Sequence, residues 1–350
     1  MSVFEHPEFD SHEHVAFFHD SATGLKAIIA IHNTNLGPSL GGCRMWPYLN
    51  SAEALTDVLR LSKGMTYKAA MANLQQGGGK SVIIGDPRQH KNEAFMQAMG
   101  RFVESFNGQY VTAEDSGITV ADLQAVATQT QHVAGTHALY NVLGETPTGN
   151  PAPSTAYGVF VGLKQTVKHV LNSNLNGVKV AIQGMGHVGY RLAKQLHEEG
   201  AELYVADIFP EGLAKAEQEF GAKIVAPEDI LSLPVDVIAP CAMGSAINDE
   251  SLPDIRAKII AGAANNQLAR EELGQALHQR GICYAPDYVI NAGGIIDIYH
   301  QKKSDSSDDA LRAHIDQIGD TLSEVYQRAE EQSLATNIIA NRIAEERFSK

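Results

Sequence analysis

The feature that most restricts the fold is the run V-K-V-A-I-Q-G-M-G-H-V-G at residues 178–189, which places Gly184, Gly186 and Gly189 directly after an apolar segment. It reads as a strand, a tight turn and the start of a helix. The first glycine makes the turn, the second lets backbone approach a pyrophosphate, and the third lets helix and strand pack closely. The helix N-terminus then faces the anion. Spacing alone is a weak signal, but a second apolar segment, residues 201–206, ends in Asp207, 18 residues after Gly189. There a carboxylate can bond both ribose hydroxyls. Asp207 would repel a 2′-phosphate, and Ile208 and Phe209 supply no cation, so NAD is expected rather than NADP. The expected cofactor contacts are Gly184, Met185, Gly186, His187, Val188, Gly189, Asp207 and Ile208.

The same rhythm continues around this motif. Strands are expected at residues 178–182, 203–206, 223–225, 235–239, 258–261 and 282–284, separated by helix-length stretches. Six strands in this order imply a doubly wound parallel sheet. Residues 144–153, GETPTGNPAP, hold three prolines and two glycines and cannot be helix or central strand, which marks a hinge. Ser154 is expected to cap the helix that follows. Before the hinge, strands are expected at 15–18, 25–31, 81–84 and 110–112, and helices near 51–72, 92–106 and 119–130, which makes a mixed α/β unit. Two domains result, residues 1–148 and 149–327. Leu311, Ile315, Ile318, Leu322 and Val325 show a helical period, and the tail, about 328–350, is expected to pack back across the hinge or against a neighbour.

Composition narrows the partners. With 41 Asp+Glu against 27 Lys+Arg the net charge is −14, which repels phosphate backbones and anionic membranes and favours a small-molecule ligand. Apolar runs of about five residues are far short of the ~20 that span a bilayer. The first ten residues lack the basic and apolar regions of a secretory signal, so the cytoplasm is the expected compartment. Cys43, Cys241 and Cys283 lie far apart without C-x-x-C spacing and read as buried small hydrophobes. No metal site is expected. His6, His12, His14 and His19 suit no helix face or finger and read as an exposed terminus, and Glu324, Glu330 and Glu331 as a solvated helix face.

A denser constellation precedes the hinge: Leu40-Gly41-Gly42, then Thr66-Tyr67-Lys68-Ala69-Ala70, then Gly77-Gly78-Gly79-Lys80, then Thr112-Ala113-Glu114-Asp115. Three consecutive glycines suggest a backbone that a ligand approaches. Lys80 opens an apolar strand, where dry surroundings lower an amine toward the range of a general base. Lys68, at the end of a helix, should stay cationic and bind a carboxylate, and Asp115 should shuttle protons or fix the lysine. Trp46 and Tyr48 are expected to pack under the same loop.

Six ordered blocks, residues 64–87, 112–123, 149–159, 238–249, 260–268 and 284–296, resemble the Glu/Leu/Phe/Val dehydrogenase family, most of all its leucine dehydrogenase branch. The resemblance spans nearly the whole chain. It implies a substrate domain and a Rossmann-like NAD domain around a cleft, in which an L-amino acid becomes a 2-oxo acid with release of ammonium. On matching positions, it implies that Lys68 with Gly41 and Gly42 holds the α-carboxylate and Lys80 activates water. It further implies that Asp115 handles protons on the amino nitrogen and that Asn265 or Asn266 contacts the nicotinamide side.

The resemblance also implies specificity. Glutamate-using relatives place a lysine before Gly-Gly where this chain has Leu40, so an acidic side chain would lie unpaired on an apolar wall. Ala113 and Ile295 are the other expected walls, which fits leucine, valine or isoleucine better than a large aromatic. Ser116, Ile118 and Asp297 depart from the branch pattern near the cleft and could shift preference toward valine, phenylalanine or tryptophan. A homo-oligomer is expected, a dimer as readily as the octamer common in that branch. Two other classes stand beside this reading: a catalytically silent NAD or amino-acid sensor, which has no need of the lysines, and a 2-hydroxy-acid dehydrogenase, which needs a histidine base that the blocks lack.

Overall fold

A computed structural model describes residues 2–349 except 137–139, 141, 147–149, 243 and 304. The first unit runs β1 (His14–Asp20), β2 (Leu25–Asn33), β3 (Ser39–Trp46), α1 (Ser51–Met71), β4 (Gly77–Ile84), α2 (Glu93–Glu104), β5 (Tyr110–Glu114) and α3 (Val120–Ala127). Its sheet has the order β1-β2-β4-β3-β5. β1 and β2 pair antiparallel, as do β2 and β4, whereas β3 runs parallel to both β4 and β5. β3 is the strand that sequence patterning missed. Its Gly41-Gly42 pair lowers strand propensity and reads as a turn, yet these residues pair with Thr112 and Ala113 of β5.

Asn50 caps α1 by accepting from the Glu53 amide at 3.0 Å. The helix buries Val58, Leu59, Thr66 and Tyr67 and lies directly on β4. Gly78 makes that contact possible, because a Cβ there would stand 2.0 Å from the Thr66 amide nitrogen. The same logic governs the rest of the triplet. A Cβ at Gly77 would meet the Asn33 carbonyl oxygen at 2.0 Å, and one at Gly79 the Tyr110 ring at 2.9 Å. The triple glycine is thus required by the protein's own packing, which corrects the expectation of a ligand-lined backbone there.

The second unit runs α4 (Ala152–Leu171), β6 (Lys179–Gln183), α5 (His187–Glu198), β7 (Glu202–Ala206), α6 (Pro210–Phe220), β8 (Lys223–Ile224), β9 (Val237–Pro240), β10 (Ile259–Ile260), α7 (Glu272–Gln279), β11 (Cys283–Tyr284), α8 (Asp287–Ile290), α9 (Gly293–His300), α10 (Asp308–Gln332) and α11 (Thr336–Phe348). The sheet order β11-β10-β9-β6-β7-β8, parallel throughout, is the doubly wound arrangement, with the switch point beside β6. All six expected strands are present. Ser154 is not the cap of α4, which begins at Ala152 with Pro153 in its first turn. Ser154 is buried inside the helix and donates to Asp297 Oδ2 at 2.5 Å. Residues 147–149 of the hinge run, and with them the expected domain boundary, lie outside the described residues.

α10 buries Leu311, Ile315, Ile318, Leu322 and Val325 as expected. α11 then packs against α1, where the Tyr67 hydroxyl donates to Glu345 Oε1 at 2.8 Å and Arg347 donates to the Ala70 carbonyl at 3.2 Å. Glu324 is no solvated face, since it pairs with Arg328 and Arg347, both at 2.7 Å, and ties α10 to α11. His12 also departs from expectation. It is buried under α1, with its ring nitrogen 3.0 Å from the Leu59 carbonyl and 3.1 Å from the Ser62 hydroxyl. Cys43 is buried as expected, while Cys241 and Cys283 are partly buried. Among the described residues no group of side chains is placed to hold a metal, and no helix is long and apolar enough to cross a membrane.

Candidate active site

The sheet of the first unit brings Lys80 on β4 and Asp115, just past β5, to a separation of 2.6 Å between Nζ and Oδ2. β3 runs between their strands, and a Cβ at its Gly42 would lie 2.8 Å from Asp115 Cβ and 3.2 Å from Lys80 Nζ. A side chain at position 42 would therefore intrude on the pair. The same Asp115 oxygen accepts from Arg44 Nε at 3.1 Å. Arg44 Nη1 donates to both oxygens of Asp57, at 3.0 and 3.3 Å, and the Tyr48 hydroxyl donates to Asp57 at 2.6 Å. Burial by itself would raise the Asp115 carboxyl, but Lys80 and then Arg44 outweigh it and hold the group down at about 2. Asp115 is thus an anion at neutral pH. Tyr48 is partly buried against a hydrophobic cluster, whereas Trp46 is half exposed.

Lys68 occupies the last turn of α1 and faces the second unit. Its Nζ donates to Asn291 Oδ1 at 2.7 Å, and Asn291 Nδ2 donates to Asn265 Oδ1 at 2.7 Å and to the Ala263 carbonyl at 3.0 Å. Burial pushes the Lys68 amine down to about 8, partly opposed by Asp287, so it is mainly cationic at neutral pH and loses its proton just above it. Asn265 and Asn266 separate in role. Asn265 joins the chain that ends on Lys68, while Asn266, at φ +50°, accepts the Ser245 amide at 2.7 Å through its backbone.

Leu40, Ala113 and Ile295 are all buried in one apolar cluster that also contains Tyr67, Val111 and Tyr157 and reaches both sheets. Leu40 pairs with Gly78 on one side and Val111 on the other. Gly41 has no room for a side chain, because a Cβ would stand 1.7 Å from the Gly79 carbonyl oxygen. Two of the departures from the branch pattern lie away from these walls. Ile118 packs in a separate core with Leu123 and Val126, and Asp297 faces Ser154.

At the switch point, Gly184 adopts φ +101° and Gly189 lets α5 meet the turn, since a Cβ there would come within 1.9 Å of the Gly184 carbonyl oxygen. Gly186 differs: a Cβ there meets no protein atom within 4 Å, and α5 starts at this open position without a side-chain cap. An uncapped helix start beside an open glycine is a cradle for an anion. Asp207 follows β7 directly, and its carboxylate accepts from the Met185 amide at 2.5 Å and the Phe209 amide at 2.9 Å. Ile208 and Phe209 beside it are strongly exposed. These residues fit a dinucleotide.

Residues 12–132 match the Glu/Leu/Phe/Val dehydrogenase dimerisation domain, and residues 150–349 match Glutamate/Leucine/Phenylalanine/Valine dehydrogenase. The chain belongs to the Glu/Leu/Phe/Val dehydrogenase family. It is 49% identical to a leucine dehydrogenase of Geobacillus stearothermophilus, over 99% of this chain and 94% of that protein. Identity to an L-tryptophan dehydrogenase of Nostoc punctiforme is 45%, over 100% and 97% of the two chains. The crystal structure of L-tryptophan dehydrogenase from Nostoc punctiforme superposes with a TM-score of 0.86 at 44% identity, covering 97% of this chain and 96% of that one. This family member is an amino acid dehydrogenase, and its family uses NAD(P).

Two polar residues of the site escaped sequence reasoning. Arg44 had only its position after Gly-Gly as a signal, and Asn291 only its place in a family-like block. Each reaches one of its partners, Asp115 for Arg44 and Lys68 for Asn291, across more than 70 positions, which spacing does not reveal.

Proposed function

We propose that this family member catalyses the NAD-dependent oxidative deamination of a branched-chain L-amino acid, leucine with valine and isoleucine, to the 2-oxo acid and ammonium, reversibly. The observation that carries this reading is the Lys80–Asp115 pair beside a second, partly buried lysine and an apolar wall headed by Leu40. Similarity to enzymes named leucine dehydrogenase supports the substrate class. Lys68 holds the α-carboxylate together with the backbone at Gly41 and Gly42. Asp115 takes and returns protons at the amino nitrogen, and Lys80 draws the proton from the water that attacks the imine carbon, after which the C–N bond breaks and ammonium leaves. NAD, when bound, supplies the acceptor for the Cα hydride.

The dinucleotide is held at residues 184–189, with Asp207 on the ribose and Asn265 on the nicotinamide side. Asp207, with no cation at Ile208 or Phe209, favours NAD over NADP. Residues 1–148 with the returning segment 328–350 bind substrate and carry the contacts of a homo-oligomer. Residues 149–327 bind NAD, and the cytoplasm is the compartment of the reaction. Neither nucleic acid nor membrane is a partner.

The test is NADH or NADPH formation with Leu, Val, Ile, Phe, Trp and Glu. Branched-chain substrates with NAD should lead. Glutamate should lie at least about 100-fold below them, because its carboxylate finds no partner on the Leu40 wall. Faster turnover of tryptophan or phenylalanine would overturn the assigned substrate class, and no turnover with any amino acid would overturn the reaction.

A further inference from the structure

We infer that Arg44 is a positioning residue for this reaction: by taking a share of the Asp115 carboxylate, it leaves Lys80 able to give up and take back a proton. The inference rests on the reaction proposed above. Lys80 Nζ at 2.6 Å and Arg44 Nε at 3.1 Å both end on Oδ2 of Asp115, so two cations divide one oxygen. The Ser116 hydroxyl lies 3.5 Å from Oδ1, and the Ser116 backbone also bonds the carboxylate. Arg44 cannot drift from this place, since its other edge is anchored on Asp57, which is itself held by Tyr48. A planar, permanently charged guanidinium can span two carboxylates in this way.

The pairing that orients Lys80 also opposes its work. An ammonium facing an undivided carboxylate holds its proton more tightly, and activating water requires that proton to leave. Arg44 weakens the opposition while keeping Asp115 in place. The other titratable groups around the pair are Lys68 and Asp57 from α1, Cys43 from β3 and Glu114 from β5, with Asp287 beyond Lys68. Burial pushes the Cys43 thiol up to about 12, which keeps it neutral, and burial together with Asp115 raises the Glu114 carboxyl. Lys68 is bonded to Asn291. Among the described residues, Arg44 is therefore the one cation besides Lys80 in an ion pair with Asp115.

The experiment is the pH dependence of kcat/KM for oxidation of the best amino acid, with folding checked by circular dichroism, in wild type, Arg44→Gln, Arg44→Lys and Asp57→Asn. In Arg44→Gln the rising limb should move up by about 1 pH unit. Arg44→Lys, which keeps the charge, should return it to within roughly 0.3 unit of wild type. Asp57→Asn lets Arg44 engage Asp115 more fully and should move the limb down by a few tenths. A merely structural role would lower kcat or thermal stability and leave the limb in place. An unmoved or lowered limb in Arg44→Gln overturns the inference, as does an Arg44→Lys limb as high as that of Arg44→Gln. If Arg44→Gln does not fold, Asp57→Asn decides: a lowered limb supports the inference, and an unmoved or raised one overturns it. Wild-type protein without turnover overturns the proposed reaction and this inference together, whereas turnover with an unmoved limb overturns the inference alone.

Discussion

Two glycine-rich segments, residues 77–79 and 184–189, look alike as sequence and do different work. In the first, every glycine is forced by the protein itself: the Asn33 carbonyl, the Thr66 backbone and the Tyr110 ring occupy the space of the missing side chains. In the second, Gly184 and Gly189 are forced in the same way, but Gly186 opens onto empty space at an uncapped helix start. A glycine run thus signals a ligand only where the absent side chain would have met no protein. The first segment instead lets α1 and β4 come together, which brings Lys68 and Lys80 to one site.

The contrast can be broken by substitution. Gly78→Ala should be the most damaging, at about 3 kcal/mol of stability or more by urea unfolding, because the clash is with backbone that cannot swing aside. A near-neutral result would show that helix and strand are not in the contact described. Lys80→Ala should lower kcat by about 10²–10⁴-fold while NADH binding, followed by fluorescence, stays intact. Gly186→Ala should do the reverse of Gly78→Ala, with stability changed by less than about 0.5 kcal/mol and NADH affinity weakened by about tenfold. Unchanged affinity would remove the dinucleotide from that turn.

The last effect, smallest near neutral pH, concerns Lys68. A carboxylate ligand needs its protonated form, and the free amine loses its proton at about 8, so affinity should fall as pH rises through that value, by up to about tenfold per unit above it. Titration of 4-methyl-2-oxopentanoate into NAD-saturated enzyme measures this. A flat profile up to about pH 10 would mean that Lys68 does not hold the carboxylate.

The six strands of the second sheet, its doubly wound parallel arrangement and the glycine turn after its first strand were legible because each follows from local pattern: short apolar runs, helix-length spacers and a glycine spacing contained in 12 residues. Lys68, Lys80 and Asp115 stood out within a glycine-rich constellation, where a lysine alone reads more readily as a surface residue, and it was the resemblance to the family that gave them their roles. β3 was not legible, because two glycines conceal a strand whose stability comes from pairing on both sides. His12 was misread as exposed, because the helix that covers it lies some 50 positions away. The sequence by itself determined the alternation of elements and the residue types able to do the chemistry, since these depend on neighbours along the chain. Only the tertiary structure decided that Arg44 shares Asp115 with Lys80, that Asn291 joins Lys68 to Asn265, and which glycine faces open space. Each of those is a meeting of distant segments, set by sheet register and helix packing rather than by spacing in the chain.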